Sequence, residues 1–183
     1  MRLSFKLLPI AVTLLLFPAV AHSGGILISG IDGMSSTVMQ QHQSSFSGLA
    51  LRARVHSDRL IHNFVFMPTI EWWRSSNNVQ PFGIETSRKD ATLGMDARYE
   101  FRREGVRPYL GAGFGMHFLS SRVNAPTLGL NNATSSLVKG GLSALGGVSF
   151  GLTSKVDNFL ELKYHNIPGY SQLKFNWGLA YTF

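Results

Sequence analysis

The residues of this chain that could do chemistry are charged side chains at every second position of segments that alternate between apolar and polar residues. A period of two places them on one face of a β-strand, opposite the apolar residues. Acidic and basic side chains are both present, so a shared buried face predicts a network of ion pairs, with a narrow ion-conducting path as the alternative. The predicted members of this polar network are Arg52, Arg54, Glu71, Asp96, Arg98, Glu100, Lys139, Glu161, Lys163 and Lys174.

Other kinds of reactive site find little support in the sequence. The absence of Cys excludes thiolate metal sites and cysteine nucleophiles. His42, His56, His62 and His117 lie in separate segments without the spacing of metal ligands. The glycines of residues 111–115 alternate inside a strand pattern, and no Gly-Lys-Ser/Thr follows them, so they do not form a phosphate-binding loop. We therefore expect no metal and no cofactor, and the scattered basic residues argue against nucleic acid as a partner.

Eight segments of alternating residues must position the polar network. The clearest run from Ala91 to Phe101 and from Leu173 to Phe183. Strict alternation of this kind is typical of β-strands with two different faces, and no apolar run downstream of the first 21 residues reaches the length of a membrane-spanning helix. The sequence therefore predicts an all-β fold of eight strands, the remaining six covering residues 25–33, 49–55, 63–72, 108–118, 138–152 and 160–165.

The connections between these segments differ in length from one end to the other. Short turns are predicted at residues 56–59, 102–105 and 153–157. Three substantial polar loops are predicted at residues 34–43, 74–88 and 121–135, and residues 167–171 predict a short fourth connection. Short turns at one end and longer loops at the other are typical of bacterial outer-membrane barrels.

The composition fits an exported protein with one domain. Of the 183 residues, 15% are charged, well below the roughly 25% usual for soluble domains. The mean hydropathy of +0.07 is too low for a bundle of transmembrane helices. Arg2, Lys6, the apolar stretch that follows them and the small residues at 19–21 predict a cleaved signal peptide over residues 1–21. The predicted domains are this signal peptide and a barrel domain over residues 22–183.

Two kinds of barrel share this alternation. A soluble lipocalin-like binder of apolar ligands would turn its apolar residues inward, whereas a membrane barrel turns them toward lipid. Small residues on the polar face and aromatic residues near the strand ends favour the membrane barrel, because aromatic girdles mark the two bilayer interfaces. The predicted girdles are Trp72 and Trp73 at one rim and Tyr99, Phe101, Tyr109, Phe159, Tyr181 and Phe183 at the other.

The C-terminal residues 177–183 resemble the terminal signature of outer-membrane barrels, and residues 106–115 resemble a segment common in small barrels of the OmpA/OmpX-like superfamily. The resemblance covers roughly residues 24–183. It implies an eight-stranded antiparallel up-and-down transmembrane β-barrel in the outer membrane of a Gram-negative bacterium, with both termini in the periplasm. It also implies that Tyr181 and Phe183 form the assembly signal for the barrel-assembly machinery.

The role expected from this resemblance is structural or adhesive. The surface loops would contact a host, the matrix or neighbouring cells, and the expected partners are outer-membrane lipid and lipopolysaccharide. Arg74, Arg88 and Lys89 lie where the outer rim is predicted, so they would face the anionic lipopolysaccharide.

A fainter resemblance supplies an enzymatic alternative. The outer-membrane lipid A 3-O-deacylases are eight-stranded barrels that carry a His-x-Ser pair on the outer face, near the start of the last hairpin. His165 stands at that place, but Ile167 occupies the position of the serine, which leaves Ser171 as the nearest hydroxyl. His165 and Ser171 are therefore weak catalytic candidates. We expect no enzymatic activity and a structural His165 at the barrel rim.

Overall fold

The computed structural model describes residues 26–40, 45–57, 63–79, 83–102, 104–126 and 130–183. The predicted signal peptide, residues 1–21, lies outside the described residues. The secondary structure consists of β1 (Ile26–Gln40), β2 (Phe46–Ser57), β3 (Phe64–Val79), β4 (Ile84–Glu100), β5 (Val106–Ala125), β6 (Leu130–Gly151), β7 (Val156–Ile167) and β8 (Tyr170–Thr182). In the described part of the chain, no helix is both long and apolar enough to cross a membrane.

The eight strands form a closed barrel in which each strand pairs with the next in sequence. All pairs are antiparallel, and β1 closes the barrel against β8 from Gly30↔Thr182 to Gln40↔Gln172. Closure removes the free edges that an open sheet would expose. The predicted eight-stranded antiparallel up-and-down barrel is confirmed.

The alternation seen in the sequence separates an apolar outer surface from a polar interior. Leu142 is 69% exposed on the outside, and Phe114 and Trp177 also face outward. Arg98 and Lys174 are buried inside. This is the reverse of a lipocalin, whose apolar residues line the interior. The lipocalin-like alternative is therefore wrong, because a continuous apolar outer surface suits hydrocarbon and not water.

The polar segments at one end of the barrel are strands and not loops. We call this end, where β1–β2, β3–β4, β5–β6 and β7–β8 connect, the distal end, and the opposite end the terminal end. The loops predicted at 34–43, 74–88 and 121–135 are wrong: β1 extends to Gln40, and the β3–β4 and β5–β6 pairs continue to Val79↔Ile84 and Ala125↔Leu130. Alternation disappears there because both faces are polar, while the backbone ladder continues unchanged.

The extended parts of four strands form one sheet beyond the barrel. We call it the distal sheet: residues 74–79 of β3, 84–89 of β4, 120–125 of β5 and 130–138 of β6. At the terminal end, short connections join β4 to β5 and β6 to β7 near the turns predicted at 102–105 and 153–157, although β7 already begins at Val156. Gly105 has a φ of 65° and closes the first of these turns in a conformation that favours glycine. The turn predicted at 56–59 lies partly outside the described residues.

Candidate functional site: barrel interior and distal end

The centre of the barrel holds an ion pair that crosses the lumen from β2 to β7. Arg52 Nη1 donates to both carboxylate oxygens of Glu161, at 2.9 and 3.2 Å. Tyr109 Oη and Asn176 Nδ2 donate to the same carboxylate at 3.2 and 2.8 Å. All four side chains are buried. Glu161 is thus saturated with donors, which is what a buried carboxylate requires.

A second cluster lies nearer the distal end. Lys163 Nζ donates to Glu71 at 2.9 Å and to Asp96 at 2.7 Å. Lys174 donates to the other oxygen of Glu71, and Ser143 Oγ donates to Asp96 at 3.2 Å. Four strands on opposite sides of the barrel supply the charged groups, so the cluster ties together segments that are distant in sequence.

A third group lies toward the terminal end. Arg54 Nε donates to Asp32 at 2.6 Å and its Nη1 lies 3.5 Å from Asp157. Arg98 Nη2 lies 2.6 Å from the carboxylate of Glu100. The three groups together fill the lumen with paired charges, and no group of three or more His, Asp and Glu in the described residues is arranged to hold a metal ion.

The structure brings most of the predicted polar network together. Eight of its ten members are buried in the lumen: Arg52, Arg54, Glu71, Asp96, Arg98, Glu161, Lys163 and Lys174. Glu100 is half-buried at the terminal end beside Arg98. Lys139 is half-buried at the distal end, where its Nζ donates to the carbonyl of Pro168 and not to another network member.

Sequence reasoning missed several interior residues. Asp32 lies in a Gly-rich segment without clear alternation, Asp90 precedes the strand predicted from Ala91, and His117 stands on a polar face that otherwise holds no charge. His117 Nδ1 lies 2.8 Å from Asp90 Oδ2 and 2.9 Å from Thr92 Oγ1. Asp90 is an even number of residues from Asp96 on β4, and His117 is an even number from the glycines of β5, so shared parity is the signal that could have placed both inside.

Three of the predicted girdle aromatics face the interior. Trp73, Tyr109 and Phe159 are buried, so their placement in the bilayer girdles is wrong. The ring of Phe159 lies 5.1 Å from the guanidinium carbon of Arg52. These rings fill the lumen beside the charged groups, and Trp72 keeps its predicted outward position.

The two weak catalytic candidates lie on opposite faces of the barrel wall. His165 is buried in the lumen with its ring 5.2 Å from that of His117, so it is neither at the rim nor on the outer face. Ser171 pairs with the exposed Asn166 and precedes the buried Gln172, which puts it on the outer face. A hydroxyl must lie within hydrogen-bond reach of the base that activates it, and the wall between these residues prevents that.

The distal end carries five basic side chains that lack an ion pair. Its basic residues are Arg74, Arg88, Lys89, Arg122 and Lys139, and none of them forms an ion pair with a described residue. The acidic residues there are Glu85 and the buried Asp90, which is paired with His117. The distal end is therefore strongly basic.

Three of these cations share the outer face of the distal sheet. Arg74 pairs directly across strands with Lys89, and Arg122 pairs with Ser87, which puts it diagonal to Lys89 at a spacing of about 7–8 Å. They line a groove of about 460 Å³ together with Glu85 and with hydroxyl and amide side chains of the same sheet, so cations outnumber carboxylates three to one. Like charges opposite each other destabilise a sheet, so this arrangement favours an anion. We call it the outer groove.

A model of the Opacity family porin protein matches residues 61–183. The chain belongs to the Opacity porin family. It is an integral β-barrel of the Gram-negative outer membrane. No curated protein matches the chain.

Solved structures share the fold of this Opacity porin. Ail, the attachment invasion locus protein of Yersinia pestis, in complex with the heparin analogue sucrose octasulfate, is 15% identical, with a TM-score of 0.60 over 87% of this chain and 99% of Ail. Neisserial surface protein A is 21% identical, with a TM-score of 0.57 over 87% and 98% of the two chains. A major outer membrane protein of Thermus thermophilus is 14% identical, with a TM-score of 0.59 over 85% and 99%. At these identities the likeness shows the fold.

Proposed function

We propose that this Opacity porin is a surface-contact protein whose outer groove binds polyanionic glycans. The observation that carries the proposal is the set Arg74, Lys89 and Arg122, three unpaired cations on one face of a rigid sheet. Sulfate and phosphate groups would neutralise them, and the hydroxyl and amide groups of the groove would bind the sugar. The complex of Ail with a heparin analogue supports this class of ligand.

The proposal requires the distal end to face outward. We propose that the chain termini face the periplasm, since the terminal end carries the short turns usual on that side. The barrel-assembly machinery as a partner also remains a proposal. It is supported by the exposed rings of Tyr181 and Phe183, which contact each other with centroids 5.8 Å apart at the end of the chain.

Lipopolysaccharide of the same membrane is the second candidate ligand. Arg74 stands two residues beyond the outward-facing Trp72, and Ser120 stands two residues beyond the outward-facing Phe118. Aromatic side chains of this kind mark the bilayer interface. The outer groove would then lie at the height of the lipid phosphates, and its role would be anchoring and not contact with another surface.

The test measures binding of a heparin oligosaccharide and of purified lipopolysaccharide to the refolded full chain. The triple variant Arg74→Gln, Lys89→Gln, Arg122→Gln should bind heparin about 100-fold more weakly, because each cation near an anionic surface contributes about 1 kcal/mol and 1.4 kcal/mol corresponds to tenfold. The control variant Arg102→Gln, Lys155→Gln removes two exposed cations at the terminal end and should bind like the wild type.

The two ligands separate the two candidates. If the triple variant loses heparin binding and the control variant keeps it, the result supports the surface-contact function. Unchanged heparin affinity contradicts it, and a loss confined to lipopolysaccharide makes the groove a membrane anchor.

We also propose that the barrel is not an acyl hydrolase. The support is the placement of His165 in the lumen and of Ser171 on the outer face. Lipid A from cells with and without the protein should give the same mass spectrum. Loss of a hydroxyacyl chain in the presence of the protein would contradict this proposal.

A further inference from the structure

The mouth of the barrel at the distal end holds a second cavity, of about 380 Å³, which shares two lining residues, Lys89 and Ser120, with the outer groove. This volume lies within the range of small-ligand sites. We call it the mouth cavity; the lining residues used in the argument are Gln40, Trp73, Arg88, Leu119, Lys139 and Tyr170.

Three residues that line the mouth cavity each carry a buried polar atom without a hydrogen-bond partner. The atoms are the indole Nε1 of Trp73, the side-chain carbonyl Oε1 of Gln40 and the hydroxyl of Tyr170. Trp73 is only 3% exposed, and its Nε1 can only donate. A buried donor without an acceptor is costly. A ligand that offers several hydroxyl groups would supply both the donors and the acceptors that these three atoms lack.

The charge of the mouth cavity is positive. Lys139 Nζ donates to the carbonyl of Pro168 and lies 5.6 Å from the centre of the Tyr170 ring. Arg88 stands on the same strand face as the interior Asp90, two residues further toward the distal end. Neither cation forms an ion pair with a described residue. Asp90, which is hydrogen-bonded to His117, contributes one negative charge nearby, and the three lining cations Arg88, Lys89 and Lys139 outnumber it.

We infer that the mouth cavity binds an acidic monosaccharide, as a free sugar or as the terminal unit of a glycan. Its carboxylate would pair with Lys139 and Arg88, its hydroxyl groups with Trp73, Gln40 and Tyr170. The apolar face of its ring would cover Leu119. Carbohydrates combine these groups in one small molecule, and the size of the cavity suits one or two sugar rings. This site goes beyond the outer groove: Lys89 and Ser120 line both, but the groups proposed to bind the sugar line the mouth cavity and not the groove.

The experiment is a titration of the ¹⁵N-labelled full-length barrel with methyl glucuronide, followed on the tryptophan indole N–H signals. The chain has three tryptophans. Trp73 reports on the mouth cavity, and the outward-facing Trp72 and Trp177, 47% and 52% exposed, serve as internal controls. The Trp73 signal, assigned by its disappearance in Trp73→Phe, should shift with saturation while the other two stay fixed.

Matched ligands and variants test whether binding requires the carboxylate of the sugar and the charge of Lys139. Methyl glucoside has the same ring without the carboxylate and should shift the Trp73 signal much less. Lys139→Gln should raise the Kd for the glucuronide about tenfold, the effect of losing one charge-assisted hydrogen bond. Lys155→Gln, an exposed lysine at the terminal end, should leave the Kd unchanged.

Each outcome bears on the mouth cavity alone. Absence of a saturable shift of Trp73 overturns the inference, and so does an equal response to the glucuronide and the glucoside. The variant Arg74→Gln, Arg122→Gln changes the outer groove and leaves the residues of the mouth cavity in place, so it should lose heparin affinity and keep the Trp73 shift with methyl glucuronide. Loss of the Trp73 shift in this variant would contradict a separate site in the mouth cavity.

Discussion

Replacing Glu161 by Gln tests how far the interior ion pairs hold the barrel together. The change keeps the size of the side chain and removes the charge that faces Arg52 at 2.9 Å. The nearest remaining carboxylate is that of Asp32, whose Oδ2 lies 3.9 Å from Arg52 Nε. Breaking a fully buried pair by removing one partner costs about 3–5 kcal/mol, since it leaves an uncompensated buried charge. We expect Glu161→Gln to lower the free energy of unfolding by that amount.

The assay is reversible urea unfolding of the detergent-refolded barrel, followed by tryptophan fluorescence. The temperature at which the folded band disappears on an unheated SDS gel gives a second readout. Glu85→Gln is the control, because Glu85 is exposed and lies in no ion pair of the described structure. Its effect should stay within about 0.5 kcal/mol.

A second substitution separates the lost charge pair from other effects. Adding Arg52→Met to Glu161→Gln removes the orphaned cation, so the double variant should be more stable than Glu161→Gln alone. The reasoning is refuted if Glu161→Gln costs less than about 1 kcal/mol, or if the second substitution adds a further loss of similar size.

Two further predictions concern the packing of the wall and its outer surface. Gly178→Ala would place a Cβ 2.6 Å from a ring carbon of Phe159 and should lower the free energy of unfolding by about 1–3 kcal/mol. Its control is Gly140→Ala, whose Cβ would meet no atom within 4 Å and which should change this free energy by less than about 0.5 kcal/mol. Similar effects at both glycines in urea unfolding would contradict the packing argument. In lipid vesicles, Leu142→Arg should lower the free energy of unfolding by about 2–4 kcal/mol, because this 69% exposed residue faces hydrocarbon. Leu152 is 55% exposed in the turn at the terminal end, so Leu152→Arg should lower it by about 0–1 kcal/mol. An equal loss of unfolding free energy in both variants would contradict the position assigned here to the hydrocarbon layer.

The sequence predicts the fold wherever one face of a strand meets lipid and the other meets the lumen, because the first face needs apolar residues and the second needs polar ones. The segment Ala91–Phe101 alternates because one face of β4 meets the bilayer and the other meets the buried charges. Beyond Asp90 the same strand has polar residues on both faces, and its continuation to Ile84 leaves no pattern to detect. Backbone pairing does not require alternation, so the sequence predicts loops where the distal sheet lies.

The sequence predicts which residues lie in the interior, but it does not predict which of them contact each other. Period-two spacing places Arg52 and Glu161 on the polar faces of their strands. Their contact joins residues 109 positions apart and depends on the closure of the barrel and on its register. Aromatic residues are ambiguous for another reason. Near a strand end, a ring such as Phe159 suits a bilayer interface or a gap in the lumen equally well, and only its position relative to Glu161 on β7 distinguishes the two.

The paired backbone of the distal sheet has a consequence for the resistance of the protein to proteases. A protease must draw several residues of free chain into its active site, and exposed loop tips are where cleavage concentrates. In the distal sheet, the backbone groups between Arg74 and Val79 are already held by β4, and those between Ser120 and Ala125 by β6. With the distal end facing outward, as proposed above, the cations of the outer groove are carried by backbone that a protease must first separate from the neighbouring strands.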